Sequence, residues 1–273
     1  MKIALVDNGS LEAAAHVGLR AAAAAIGARA EASVEAVSWR HSDRIPSHAL
    51  EDGPAHTLFP WVRDHVAAGE REFLLIPFFI SPQGAIGSAL RGDLLALQSE
   101  LGGFEFSFAD GLAANAPLAE IVADRVREVC AGAGLKRPPV MVVDHGGPTQ
   151  ASARVRNEVA DAARERLRGT IDRLTAASME SPHGPEFDFN RPLMAEALLS
   201  PGLDSGDVVV APLFLSPGRH AGPGGDLFRI AREAEAKRPG LRCHFAGLVG
   251  SHPLAIEHLA SSLARSLNMG VRS

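Results

Sequence analysis

Two histidines in the second half of the chain each follow an apolar run and sit among glycines. One closes Met141-Val142-Val143-Asp144-His145-Gly146-Gly147; the other closes Val210-Ala211-Pro212-Leu213-Phe214-Leu215-Ser216-Pro217-Gly218-Arg219-His220. A carboxylate ends a third such run, at Ser178-Met179-Glu180. Two imidazoles and a carboxylate around one crevice can bind a divalent transition metal and take up protons. Neutral imidazole suits Co, Ni, Fe and Zn, and its pKa near neutrality suits proton removal at cellular pH. The spacing is not that of a structural zinc site, which uses close-set Cys or His pairs. The loop from Ser216 to Leu227 is rich in glycine and proline but fits neither the P-loop nor the dinucleotide pattern, so it is read as a device that positions Arg219 and His220.

These residues need strands to carry them. Short apolar runs without strict alternation, as expected of parallel strands buried on both faces, are predicted near 2–7, 32–38, 73–79 and 104–109, and again near 139–144, 171–178, 207–214 and 241–246. Amphipathic stretches near 11–26, 56–68, 87–101, 116–131, 150–168, 191–199, 224–237 and 253–267 read as helices. The order is βαβαβαβα twice, which gives an α/β fold of two tandem, duplicated, doubly wound parallel-sheet domains. Glycine and proline in Gly132-Ala133-Gly134-Leu135-Lys136-Arg137-Pro138-Pro139 mark the break, giving domains 1–134 and 135–273. Ligands of such sheets sit at the carboxyl ends of strands, where His145, Glu180 and His220 all fall. In the first half the scaffold returns without the chemistry. Ala4-Leu5-Val6-Asp7-Asn8-Gly9 places Asn8 opposite His145, Arg40 stands opposite Glu180, and no histidine follows Ser81-Pro82-Gln83. The first domain is therefore read as a degenerate copy and the second as the carrier of the active site.

Bulk composition excludes several classes. Hydrophobic residues make up 46% and charged residues 22%, which is globular rather than disordered. A net charge of -5 does not suit a nucleic-acid binder, which needs a basic face. Cys130 and Cys243 stand alone, with no CxxC pairing, as in a reducing compartment. With neither a signal-peptide pattern nor an apolar run long enough to span a bilayer, a cytoplasmic protein with no membrane partner is expected. Internal duplication can replace a homodimer, so a monomer is compatible with the pattern.

At these residues the chain resembles the class II chelatases, in particular the sirohydrochlorin cobaltochelatase/ferrochelatase family in its long, two-domain form. That family's pattern is a strand ending in His-Gly, a strand ending in an acid, and a Pro-x-Phe-Leu-x-x-Gly-x-His segment. These correspond to His145-Gly146, to Glu180 and to Pro212 through His220. The resemblance implies ATP-independent insertion of Co2+, Fe2+ or Ni2+, the metal being a substrate, into a tetrapyrrole, with no organic cofactor. By the same resemblance His145 and His220 bind the metal and accept pyrrole protons, and Glu180 assists. Arg219 is then placed to pair with a substrate carboxylate, since guanidinium suits bidentate carboxylate binding, and Arg191 is a second candidate. His183 is a candidate third imidazole, and Phe187 and Phe189 candidate covers for a flat macrocycle. Departures from the family are Asp7-Asn8-Gly9 in the first copy and the aspartate before His145, which could alter the histidine's pKa or orientation. Two other classes use the same residues: a non-catalytic metal or tetrapyrrole carrier, and a metal-dependent hydrolase, which needs a further general base.

Overall fold

The computed structural model describes residues 1–80, 85–112 and 117–270, apart from the side chains of 85–87 and 269–270. Its strands are β1 (Lys2–Asp7), β2 (Glu35–Ser38), β3 (His56–Thr57), β4 (Glu72–Pro77), β5 (Glu105–Phe108), β6 (Val140–Asp144), β7 (Leu174–Ser178), β8 (Gly206–Pro212) and β9 (Leu241–Phe245). Its helices are α1 (Ala13–Ala30), α2 (Leu58–Ala67), α3 (Ala85–Leu101), α4 (Leu118–Ala133), α5 (Gln150–Arg166), α6 (Met194–Ala197), α7 (Asp226–Lys237) and α8 (Pro253–Gly270).

The strands form two wholly parallel sheets, ordered β3-β2-β1-β4-β5 and β7-β6-β8-β9. Setting aside the two-residue β3, the orders are the same, so the repeat in the sequence is a repeat in topology. Registers repeat as well: Asp7 pairs with Ser38 and Val6 with Pro77, as Asp144 pairs with Ser178 and Val143 with Pro212. Every residue of β6 is buried, because helices cover both faces of a parallel sheet, and that is why the run shows no alternation. Each fully buried Leu or Val contributes roughly 1.5–3 kcal/mol.

Three elements differ from the sequence reading. His56 and Thr57, expected to begin a helix, form β3 against Val37 and Ser38. The helix expected at 191–199 is one turn, α6, preceded by a 3-10 segment at Pro185–Asn190; Pro185 and Pro192 interrupt any longer helix there. The compact units also do not follow the sequence halves: one comprises 1–116 with 250–273, the other 117–249. The apolar face of α4 (Leu118, Ile121, Val122, Val126 and Cys130) packs in the second unit, with α5 and β8. In the first unit α8 packs on α1, and Ser262 Oγ donates to the Asp110 carbonyl at 2.8 Å. A boundary near 134 thus describes the repeat, while burial is completed by exchanging the last helix of each half. Among the described residues no helix is long and apolar enough to cross a membrane.

Candidate active site

The second sheet's ladder runs on past its strand ends. The Met179 amide donates to the Asp144 carbonyl at 2.8 Å, the Glu180 amide to the His145 carbonyl at 3.1 Å, and the Leu213 amide to the Val143 carbonyl at 2.7 Å. Gly146 follows with φ +81, and a Cβ there would stand 1.8 Å from the Glu180 carbonyl oxygen. Only glycine lets the two turns pass this closely. The result is that His145 Nε2 lies 3.6 Å from Glu180 Oε1, with both side chains well exposed. The loop after β8 folds back through a bond from the Gly222 amide to the Gly218 carbonyl, 2.8 Å. It brings the His220 ring edge-on to the His145 ring, with centroids 4.8 Å apart and planes at 87°. Phe214 stands 6.5 Å from His145, centroid to centroid. The structure thus brings His145, Glu180, His220 and Phe214 to one place.

The hydrogen bonds fix which nitrogens are free. His145 Nδ1 is 2.9 Å from the Gly146 carbonyl, and His220 Nδ1 is 2.7 Å from Asp226 Oδ2. Asp226 is held below the usual carboxylate range first by Arg229 and then by His220, so it is ionised at neutral pH. A carbonyl and an ionised carboxylate only accept, so in the neutral rings each Nδ1 carries the hydrogen and each Nε2 presents a lone pair. At His145 that lone pair faces the Glu180 carboxylate. Two acceptors at this separation are joined favourably only by a proton or a cation between them.

Behind the site lies a buried network. Asp144 turns its carboxylate away from solvent: Ser178 Oγ donates to Oδ1 at 2.6 Å, and Arg156 Nη1 stands 3.5 Å away. Arg156, 1% exposed, also donates to Ser178 Oγ, to the Phe189 carbonyl at 3.0 Å and to the Asn190 carbonyl at 3.3 Å. Burial raises the Asp144 pKa, opposed by Ser178 and Arg156. Asn190 clasps Gly147, accepting from its amide at 3.2 Å and donating to its carbonyl at 2.9 Å. These residues lock the strand ends that carry His145 and Glu180.

Other expected residues divide differently. Arg219 is 81% exposed, its Nε 3.8 Å from Asp226 Oδ2. Arg191 is committed to Asp188 and Glu196. Phe187 and Phe189 pack edge-to-face on each other, 6.2 Å apart. His183 is exposed, and among the described residues no group of three or more His, Cys, Asp or Glu is placed to hold a metal ion. Sequence reasoning missed Asp226, Ser178, Arg156 and Asn190. The one signal within reach was Arg156, which sits among the apolar positions Ala153, Val159, Ala160 and Ala163 on the buried face of α5.

The first unit repeats the backbone device with other side chains. Gly9 has φ +87, and a Cβ there would lie 1.6 Å from the Arg40 carbonyl oxygen; the Trp39 and Arg40 amides bond to the Asp7 and Asn8 carbonyls at 2.8 and 3.2 Å. Arg40, opposite Glu180 in the repeat, is engaged locally, by Asp93 at 2.8 Å and by the Trp39 ring 3.9 Å from its Cζ. Gln83 and its neighbours 81–84 lie outside the described residues.

Residues 139–266, the part of the chain that holds His145, Glu180 and His220, match the CbiX family model. This segment is similar to the CbiX family. The match spans just under half of the chain, and it bears out the class II chelatase resemblance. No curated protein matches the sequence. Solved structures extend the likeness in fold to the whole chain. SirB from Bacillus subtilis with Fe3+ shares 14% identity at a TM-score of 0.68, over 97% of this chain and 96% of that one. The sirohydrochlorin chelatase SirB from Bacillus subtilis subspecies spizizenii, in complex with cobalt, shares 14% at 0.66, over 98% and 96%. CbiX, described as the terminal enzyme for biosynthesis of siroheme in denitrifying bacteria, shares 16% at 0.63, over 97% and 99%. The chain thus shares the two-sheet fold of these chelatases.

Proposed function

We propose that the chain inserts a divalent metal into a sirohydrochlorin-type tetrapyrrole, without ATP, from the site on the CbiX segment. The observation that carries this reading is the pair of His145 and His220 rings, 4.8 Å apart, each with its Nδ1 turned to an acceptor, and Glu180 3.6 Å from His145 Nε2. The paired imidazoles, with an exposed carboxylate beside His145 alone, leave the donor set open rather than closed into a group of three. Such a site suits a metal that must arrive, shed water and leave, not one that stays. In the reaction M2+ replaces two pyrrole N–H protons. As the metal passes to the macrocycle, the vacated His145 and His220 nitrogens are the bases to which those protons move, and Glu180 shares the load beside His145. Arg219, exposed at the rim, pairs with a carboxylate of the macrocycle.

Iron, cobalt and nickel all suit imidazole donors; iron and cobalt come first because SirB structures hold Fe3+ and cobalt. The product then serves siroheme or cobalamin synthesis. Incubating the protein with sirohydrochlorin and each metal in turn, followed by absorption spectroscopy, tests the reading. Wild-type protein is expected to give the metallated spectrum and His145→Ala to lose it, with circular dichroism unchanged; full activity in His145→Ala would overturn the site assignment.

A further inference from the structure

His145 and His220 are held in the same tautomer by different means. The hydrogen of His145 Nδ1 is taken by the backbone carbonyl of Gly146, which no substitution removes. That of His220 Nδ1 is taken by a side chain, Asp226, whose two oxygens are divided: Oδ2 lies 2.7 Å from His220 and Oδ1 accepts from Arg229 Nη2 at 3.1 Å. Asp226 is the first residue of α7, so its backbone is fixed by the helix. The Leu227 amide donates to the His220 carbonyl at 3.1 Å and the Asp226 amide to the Arg219 carbonyl at 3.2 Å, and Leu227 is fully buried. The His220 backbone and ring are therefore both tied to the start of α7, although the loop between them, Ala221-Gly222-Pro223-Gly224-Gly225, has little side chain to stiffen it.

We propose that Asp226 is a positioning residue: by holding the hydrogen on His220 Nδ1 and fixing the ring plane, it presents the Nε2 lone pair to the incoming divalent metal. The proposal rests on the metal-insertion reading for its role in turnover, but not for its effect on the ring. Carboxylates behind metal-binding histidines act in this way, and losing one typically costs ten- to a hundredfold in metal affinity or activity. The competing role is structural. A carboxylate in the first turn of a helix favours the helix dipole, and Asp226 also pairs with Arg229 three residues on.

Three variants of the full chain separate the two roles. Asp226→Ala removes the acceptor. Asp226→Asn keeps an oxygen that can accept from Nδ1 while losing the charge. Arg229→Ala removes the ion pair and leaves His220 its partner. The first readout is the imidazole 15N shifts of His220 at fixed neutral pH, in histidine-labelled protein assigned with His220→Gln. The second is Co2+ binding without tetrapyrrole, followed by visible absorption. The third is KM for the metal against kcat in the insertion assay. In Asp226→Ala, His220 is expected to shift toward the Nε2–H tautomer, Co2+ affinity to fall ten- to a hundredfold, and the metal KM to rise more than kcat falls. Asp226→Asn should recover the wild-type tautomer and part of the affinity, and Arg229→Ala should stay within about threefold of wild type.

An unchanged tautomer with Co2+ affinity within threefold in Asp226→Ala would overturn the proposal. So would an equal loss in Arg229→Ala. Should Asp226→Ala fail to fold, Asp226→Asn carries the test: a loss of the wild-type tautomer, or the wild-type tautomer with Co2+ affinity reduced more than threefold, supports the role, and wild-type tautomer with wild-type affinity refutes it. A wild-type protein that binds Co2+ through His220 in this tautomer but makes no metallated product would sink the metal-insertion reading and leave the ring positioning standing.

Discussion

Replacing Asp7 with Asn should stabilise the first unit at neutral pH, although it removes a charge at a position whose counterpart, Asp144, sits directly behind the candidate site. Leu19 follows Asp7 by the same interval as Arg156 follows Asp144, and both are buried, Leu19 on the helix after β1 and Arg156 on the helix after β6. The second unit thus gives its buried aspartate a cation and the first gives its aspartate a leucine. Burial pushes the Asp7 carboxyl from 3.8 up to about 6, opposed only by Ser38 and backbone amides. That displacement corresponds to ~3 kcal/mol at ~1.4 kcal/mol per tenfold change in proton affinity. The folded state binds the proton more tightly than the unfolded state, so this contribution to stability is fully present below about pH 3.8 and is lost as pH rises through about 6. His16 works in the opposite direction. It is buried, neither ring nitrogen has a hydrogen-bond partner, and desolvation, then Arg20 and His56, bring its pKa from 6.5 to about 4. Its contribution is present above 6.5 and lost as pH falls through 4. The two oppose each other in the wild type, so only the difference between variant and wild type isolates Asp7. An amide keeps the acceptor for the Gly9 amide, now at 3.0 Å. The expected gain for Asp7→Asn is about 1–3 kcal/mol at pH 8, falling toward zero near pH 4. Urea unfolding followed by tryptophan fluorescence reads this unit alone, since Trp39 and Trp61, the two tryptophans of the chain, are both buried in it. A variant less stable than wild type at pH 8, or a gain that does not shrink in acid, would refute the reasoning.

Three further outcomes follow from the second unit. Arg156→Leu, which copies the first unit's residue, strands Asp144 and the Phe189 and Asn190 carbonyls; calorimetry should show the second unit losing about 3–5 kcal/mol, and an unchanged transition would remove Arg156 from the account. Gly146→Ala drives a Cβ into the Glu180 carbonyl at a positive φ, so metal insertion should fall at least about tenfold, a loss of ~1.4 kcal/mol in transition-state stabilisation; wild-type rates would show that the close approach of the two turns is dispensable. Glu180→Gln, at an exposed residue, should leave the thermal transition in place and lower kcat about a hundredfold; an unaltered kcat would assign Glu180 to the surface.

The strand ends were legible because buried parallel strands write apolar runs, and because the duplication marks which turn residues are scaffold: Gly9 and Gly146 recur since each must pass a neighbouring carbonyl. His145, Glu180 and His220 could be named from the same logic. The exchange of α4 and α8 was not legible, because an apolar helix face shows that it will be buried but not against which sheet. Asp226 was hidden as an ordinary helix-start acid, and its meaning comes from a loop that folds back on itself. Arg156 carried a signal that went unread, an arginine among the apolar positions Ala153, Val159, Ala160 and Ala163 of its helix. Which nitrogen each imidazole presents depends on a carbonyl and a carboxylate that only the fold brings into place.

The most direct test of the central claim counts product against protein. With sirohydrochlorin and Co2+ both in excess, wild-type protein should form many equivalents of metallated product, and His220→Ala should fall at least about a hundredfold with its circular dichroism and the calorimetric transition of the second unit unchanged. Product that stops at one equivalent in the wild type, or many turnovers in a folded His220→Ala, would contradict the claim that the paired imidazoles of the second unit perform the insertion.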